Sequence, residues 1–112
     1  MFKKTNRITK RKDFETIFRK GKVFFSKNLT IKYKAGGNLA RFAIVVSTKV
    51  SKLAVKRNRL RRILREVIKT SLNELMPGDY IVMAKPSILM TTPAIYREEL
   101  LGLLTKMKAI KS

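Results

Sequence analysis

The spacing of apolar residues changes along the chain, and each spacing predicts an element. Phe14, Ile17 and Phe18 share one side of a helix over residues 10–20, with Lys12, Arg19 and Lys20 around them. Thr9 stands where it can cap the first turn, and Gly21 where a left-handed residue can end the helix. Residues 23–25 suit a short strand. Over residues 29–34, Leu29, Ile31 and Tyr33 alternate with Thr30, Lys32 and Lys34, the period of a strand with one buried face. Ala35-Gly36-Gly37-Asn38 then reads as a hairpin connection to a strand over 41–47. That strand carries Phe42, Ile44 and Val46 on one face and Ala43 and Val45 on the other. It is therefore expected to be central in the sheet and covered on both sides.

Leu60, Ile63, Leu64, Val67, Ile68 and Leu75 recur at helical spacing in a helix expected over 51–75 and stopped by Pro77-Gly78-Asp79. Residues 80–84 form a fourth strand, closed by Lys85-Pro86. Thr92-Pro93 opens a last helix, with Thr as cap and Pro at the first helical position. Its core stripe is Leu100, Leu103, Leu104, Met107 and Ile110. The order α-β-β-β-α-β-α predicts an α+β fold, a single-domain α/β sandwich around a small sheet. Residues 1–112 are expected to form one domain, with residues 1–8 a mobile basic arm.

Charge decides what kind of partner such a sandwich needs. The chain has 112 residues, 27 Lys and Arg, 7 Asp and Glu, and a formal net charge of +20. Self-repulsion of that size opposes compaction unless an anionic partner neutralises it. A membrane-surface protein would show a long amphipathic helix exposing large apolar residues. Here the basic residues run from Lys3 to Lys111 around a globular pattern, which favours nucleic acid. No apolar run approaches a membrane span, and the N-terminus lacks a signal peptide's apolar core, so a cytoplasmic location is expected. Cysteine and histidine are both absent, which excludes disulfides, thiolate or imidazole zinc sites, and His-based acid–base chemistry.

The basic residues concentrate in the long helix. Over residues 56–65, six of ten are Lys or Arg and none is acidic. At about 100° per residue, Ile63, Leu64, Val67, Ile68 and Ser71 cluster on the side of Leu60. Asn58, Arg62, Arg65 and Lys69 fall opposite, with Arg59 and Arg61 on the flanks. A merely soluble face would mix Glu with Lys at i,i+4, but only Glu66 lies near the middle. Guanidinium forks match phosphate oxygens and can stack on bases. A DNA recognition helix usually follows another helix across a short turn, whereas this one follows a strand and precedes one. Structured RNA fits better than DNA.

Six aromatic residues, Phe14, Phe18, Phe24, Phe25, Tyr33 and Phe42, lie among basic residues near the start. Phe25 and Phe42 are expected in the core. For Phe14, Phe18 and Tyr33, core packing and base stacking both remain open. The acidic residues are Asp13, Glu15, Glu66, Glu74, Asp79, Glu98 and Glu99. Asp13 and Glu15 point to different helix sides, and Glu98 and Glu99 are expected to face solvent or pair with nearby Lys. A two-metal nuclease site needs convergent carboxylates, and none is visible. No protein nucleophile, base or metal site is evident, so no catalytic side chain is expected.

Ala54-x-x-Arg57-Asn58-Arg59-Leu60-Arg61-Arg62-x-Leu64-Arg65 resembles the signature of the bacterial ribonuclease P protein subunit. The resemblance extends to Arg11-Lys12-Asp13-Phe14-x-x-Ile17-Phe18-x-x-Gly21, to the stretch from Arg41 to Lys49, and to Asp79-Tyr80-Ile81-Val82. The chain departs at Val50-Ser51-Lys52-Leu53-Ala54, which lacks the glycine many members carry there. The resemblance implies a four-stranded sheet with a left-handed β-α-β crossover, like the second domain of ribosomal protein S5. It implies binding to one catalytic RNA, and to the 5′ leader of precursor tRNA, whose endonucleolytic removal gives mature tRNA 5′ ends. It implies that magnesium is held by that RNA and that the protein binds no cofactor or metal. The implied catalytic-RNA contacts are Lys56, Arg57, Asn58, Arg59, Arg61, Arg62, Arg65 and Lys69. The implied leader contacts are Arg11, Lys12, Phe14, Phe18, Tyr33, Lys49 and Lys52. No membrane or DNA partner is expected. The competing reading is a ribosomal or ribosome-assembly RNA-binding protein without an enzymatic role.

Overall fold

The computed structural model describes residues 6–71 and 74–107. Its elements are α1 (Arg11–Lys20), β1 (Lys22–Phe25), β2 (Leu29–Ala35), β3 (Ala40–Val45), α2 (Ala54–Ser71), β4 (Gly78–Ala84) and α3 (Pro93–Lys106). A 3₁₀ helix, Pro86–Met90, joins β4 to α3 and was not expected. The order matches α-β-β-β-α-β-α. Ile110, the last residue of the predicted α3 stripe, lies outside the described residues.

The sheet runs β1-β2-β4-β3, which corrects two expectations. Residues 35–38 do not close a hairpin: β4 lies between β2 and β3, antiparallel to the first and parallel to the second. Gly36 and Gly37 take φ of 138° and 75° and turn the chain out of β2, and α2 is the crossover from β3 to β4. β3 is an edge strand and not central. Tyr80, Ile81 and Val82 are fully buried, so β4 is the strand that gains most from hydrogen-bonded neighbours on both edges. β3 packs under α2 on one face, and on the other Ala43 meets the Ile8–Ile17–Ile81 cluster while Val45 is 37% exposed, which says nothing about its lateral place.

One face of the sheet packs on α2 and α3. Leu60, Ile63, Leu64, Val67, Ile68 and Ser71 are all buried, as the wheel predicts, and meet Leu29, Ile31, Phe42, Tyr80 and Val82. The Tyr80 ring lies 4.7 Å from Phe42 and 4.6 Å from Tyr33, and its hydroxyl donates to Met76 O at 2.6 Å. Burial pushes the Tyr80 phenol pKa well up. The other face carries a smaller cluster, Ile8, Ile17 and Ile81, with Phe14, Ala43 and Met83 against it.

Three local expectations also change. Lys10, not Thr9, occupies the N-cap of α1, with no side-chain cap bond. Gly21 is extended at φ −76° and ψ 157°, not left-handed. Its value is space: a Cβ there would lie 2.5 Å from Ile17 O and 3.1 Å from Tyr33 O, where α1 meets β2. Residues 1–5 of the expected mobile arm lie outside the described residues, and residues 6–8 are docked. Asn6 Nδ2 donates to Ala40 O at 2.9 Å, Arg7 bridges Phe42, and Ile8 is buried, because β3 offers a free edge there.

Candidate nucleic-acid interface

The solvent side of α2 divides into a crest and two flanks. Asn58, Arg62 and Lys69 are exposed on the crest. Arg57, Arg61 and Arg65 follow at i+4 steps along one flank and are half-buried. Arg57 Nη1 donates to Ser51 O at 2.9 Å, and Arg61 Nη2 donates to Asn58 Oδ1, so local bonds hold both guanidiniums. Arg65 sits in a cleft of about 230 Å³ with Arg7, Phe14 and Val45. The wheel placed Arg65 opposite the core, but β3 and the chain leading into α1 close over that flank. Lys56 and Arg59, on the other flank, face the 3₁₀ helix and α3.

The cleft continues across the sheet. Side chains alternate between faces, and Phe24 packs into the α2–α3 core, so Phe25 must turn to the α1 face. Strand register aligns Phe25, Thr30, Met83 and Val45 in one row across all four strands. Three inter-strand gaps make that row about 14 Å long. Phe25 is 67% exposed and Val45 37%, so α1 leaves the two ends of the row uncovered, while Thr30 and Met83 between them are half-buried. The expectation that Phe25 is core is wrong, whereas Phe42 is buried as expected. In consecutive strand positions one of Phe24 and Phe25 has to face outward, and that was the available signal. Cations stand over these rings. Lys85 Nζ lies 5.2 Å from the Phe25 centroid, and Lys32 Nζ 5.5 Å from that of Phe18.

Three acidic residues hold the cleft together. Arg41 binds Asp79 through two 2.8 Å bonds and reaches Asp13 of α1 at 3.4 Å, fixing the start of α1 to the sheet. Its bonds to Asp79 raise the Arg41 pKa, keeping it charged. Glu99 of α3 accepts from Ser26 Oγ, Asn28 N and Asn28 Nδ2 at 2.5, 2.9 and 2.8 Å. It neither faces solvent nor pairs with Lys; it clasps the β1–β2 turn next to Phe25. Lys85 Nζ donates to Ser26 O of the same turn at 2.6 Å.

The other predicted leader contacts fall into place unevenly. Phe14 is half-buried in the cleft, and Phe18 is 45% exposed beside it on α1. Arg11 and Lys12 are exposed on the first turn of α1, with Arg11 paired to Glu15 at 3.2 Å. Lys49 and Lys52 are exposed on the loop between β3 and α2. Tyr33 does not join them. Its ring packs on the α2–α3 face, and its hydroxyl donates to Pro77 O at 3.0 Å. Phe25, Val45, Met83, Lys85 and Arg7 belong to the cleft and were missed.

The α+β sandwich carries a cationic crossover helix and, on its other sheet face, an aromatic cleft, surfaces of the kind found on RNA-binding proteins. The ribonuclease P family profile matches residues 2–108, and the chain belongs to that family, as the protein component of an endoribonuclease that processes tRNA 5′ leaders. It is 32% identical over 109 residues to the ribonuclease P protein component of Xylella fastidiosa, covering 97% of this chain and 81% of that one. The RNase P protein of Staphylococcus aureus superposes with a TM-score of 0.89 at 27% identity, covering 95% of this chain and 98% of that one. That of Thermotoga maritima gives 0.78 at 28% identity, covering 89% and 96%. The β3-α2-β4 crossover thus has the hand it has in those proteins. A ribosomal role without enzymatic function is not favoured. Among the described residues, no helix is long and apolar enough to cross a membrane.

Proposed function

We propose that the crest of α2 docks the catalytic RNA of ribonuclease P, while the cleft between α1 and the open sheet row grips the single-stranded 5′ leader of precursor tRNA. The observation that carries this division is the row Phe25–Thr30–Met83–Val45, exposed at both ends and flanked by the cations Arg7 and Arg65 at one end and Lys85 at the other. Exposed rings among cations hold single strands, because bases stack while the charges attract the backbone. The crest instead presents guanidinium, amide and ammonium groups with no ring, which suits the phosphates of a folded RNA.

The protein's part in the reaction is charge neutralisation and positioning. Asp13 and Asp79 converge near the cleft, but the Arg41 guanidinium lies between them and neutralises them, so they do not suit a divalent cation. Magnesium and the chemistry of hydrolysis come with the RNA. The protein aligns the leader and lowers the repulsion between two polyanions. α2 lies between two strands and has no helix-turn-helix partner among the described residues, which argues against DNA as the target. The work is done in the cytoplasm, on precursor tRNA. The test is cleavage of leader-bearing precursor by the catalytic RNA at limiting magnesium. Added protein is expected to raise the rate, and no gain over RNA alone overturns the reading.

A further inference from the structure

On the side of α2 away from the leader cleft, α2, the 3₁₀ helix and the start of α3 enclose a groove of about 250 Å³. Lys56 and Arg59 stand on its α2 rim, Leu89 and Pro93 wall the other side, and Tyr96 reaches it from α3. Leu89 is 44% exposed and Met90 88%, so apolar surface is left to solvent here. The Tyr96 ring is buried, the residue being 4% exposed overall, while its hydroxyl is bonded by no described residue and opens to solvent in the groove. Burial raises the Tyr96 pKa, and the positive charges of Arg59 and Arg97 act in the opposite direction; Arg59 lines the groove with Tyr96.

A slot with an apolar wall, a solvent-facing hydroxyl that no described residue bonds and two cations on its lip matches one chemical object well. We propose that it takes a single unstacked base of the catalytic RNA. One base face lies against Leu89 and Pro93, a base edge meets the Tyr96 hydroxyl, and the flanking phosphates meet Lys56 and Arg59. Unstacked bases of folded RNA are recognised in this way. The groove is continuous with the α2 crest, so a strand docked there reaches it without a break. A second copy of the chain is a poor occupant, since it brings +20 charges against +20. The proposal rests on reading α2 as the dock for the catalytic RNA.

The experiment measures binding of the full chain to the catalytic RNA of ribonuclease P, with dimethyl sulfate probing of unpaired bases. Leu89→Ala trims an exposed side chain and Tyr96→Phe removes only an unpartnered hydroxyl, so both variants are expected to fold, as circular dichroism would confirm. Leu89→Ala is expected to weaken binding about tenfold, the scale of one lost base contact. The salt dependence should stay that of the wild type, because no phosphate contact is lost. One base protected by the wild-type protein should become reactive with either variant. If both variants bind and protect as the wild type does while Arg62→Ala weakens binding, the groove proposal is overturned and the dock stands. If Arg62→Ala also binds unchanged, the dock itself fails. A wild-type dimer in sedimentation that Leu89→Ala converts to monomer assigns the groove to a second copy and overturns the proposal.

Discussion

Replacing Arg65 with Ala separates the two RNA surfaces more sharply than any substitution on the crest. The wheel makes Arg62 and Arg65 equivalent, but Arg62 is exposed on the crest and Arg65 is half-buried in the cleft beside Phe14 and Arg7. A net charge-assisted hydrogen bond contributes about 1.5–3 kcal/mol. Arg65 keeps part of its surface in water, so about 1–1.5 kcal/mol is the reasonable share, or roughly tenfold in affinity. That loss should fall on precursor tRNA carrying a leader and spare leaderless tRNA. Arg62→Ala should weaken assembly with the catalytic RNA and leave the ratio of the two substrate affinities unchanged. The assay is a pair of dissociation constants for the reconstituted holoenzyme, with leader-bearing and leaderless tRNA, at several salt concentrations. Losing one phosphate contact should lower the slope of log affinity against log salt by about 0.7–0.9 for the leader-bearing substrate alone. Arg65→Lys, which keeps the charge, should recover part of the affinity. An equal loss for both substrates would refute the placement of Arg65 in the leader cleft.

Glu99→Ala removes the carboxylate that accepts three bonds from Ser26 and Asn28 and leaves those donors without their acceptor. It should cost about 2 kcal/mol, seen as a fall in Tm of roughly 8 °C, and should weaken leader binding through Phe25; an unchanged Tm contradicts the clasp. Gly21→Ala suits the local φ of −76° but forces a Cβ against two backbone oxygens. Overpacking of about 1–3 kcal/mol should outweigh the roughly 0.4–1 kcal/mol gained by restricting the unfolded chain, so a stabilised variant in urea unfolding would count against the close approach. Tyr80 is buried and its folded pKa lies above the ordinary value of 10.0, so its contribution to stability is complete below pH 10 and is lost as pH rises further. Tyr80→Phe should remove up to about 1.4 kcal/mol per pH unit from the alkaline slope of unfolding, and an identical slope in the variant would show that the phenol is not held neutral.

The inward side of α2 was fully legible, because helical spacing reports which residues meet a core and all six inward residues do so. Lateral order in the sheet was not. Apolar alternation describes the faces of a strand and never its neighbours, so β4 between β2 and β3 had no local signal. Gly36-Gly37 suggested a hairpin, although the same positive φ values also serve a strand leaving the sheet. Phe25 could have been found, since alternation forbids it from sharing a face with Phe24. Arg65 and Tyr33 could not, because the first depends on β3 and the segment before α1 folding over an α2 flank, and the second on which sheet face holds the core. Glu99 lay hidden for a related reason: its partners are more than seventy residues away in sequence.

The chain contains no cysteine, so one introduced thiol can carry a tethered iron chelate that cuts nearby RNA. Asn58→Cys sits on the α2 crest and Val45→Cys in the leader cleft, both exposed and on opposite sides of the Arg65 flank. In the holoenzyme with precursor tRNA, the probe at 58 is predicted to cut the catalytic RNA and the probe at 45 to cut the leader. Leader cleavage from position 58, or cleavage of catalytic RNA alone from position 45, would contradict the assignment of two surfaces to two RNAs.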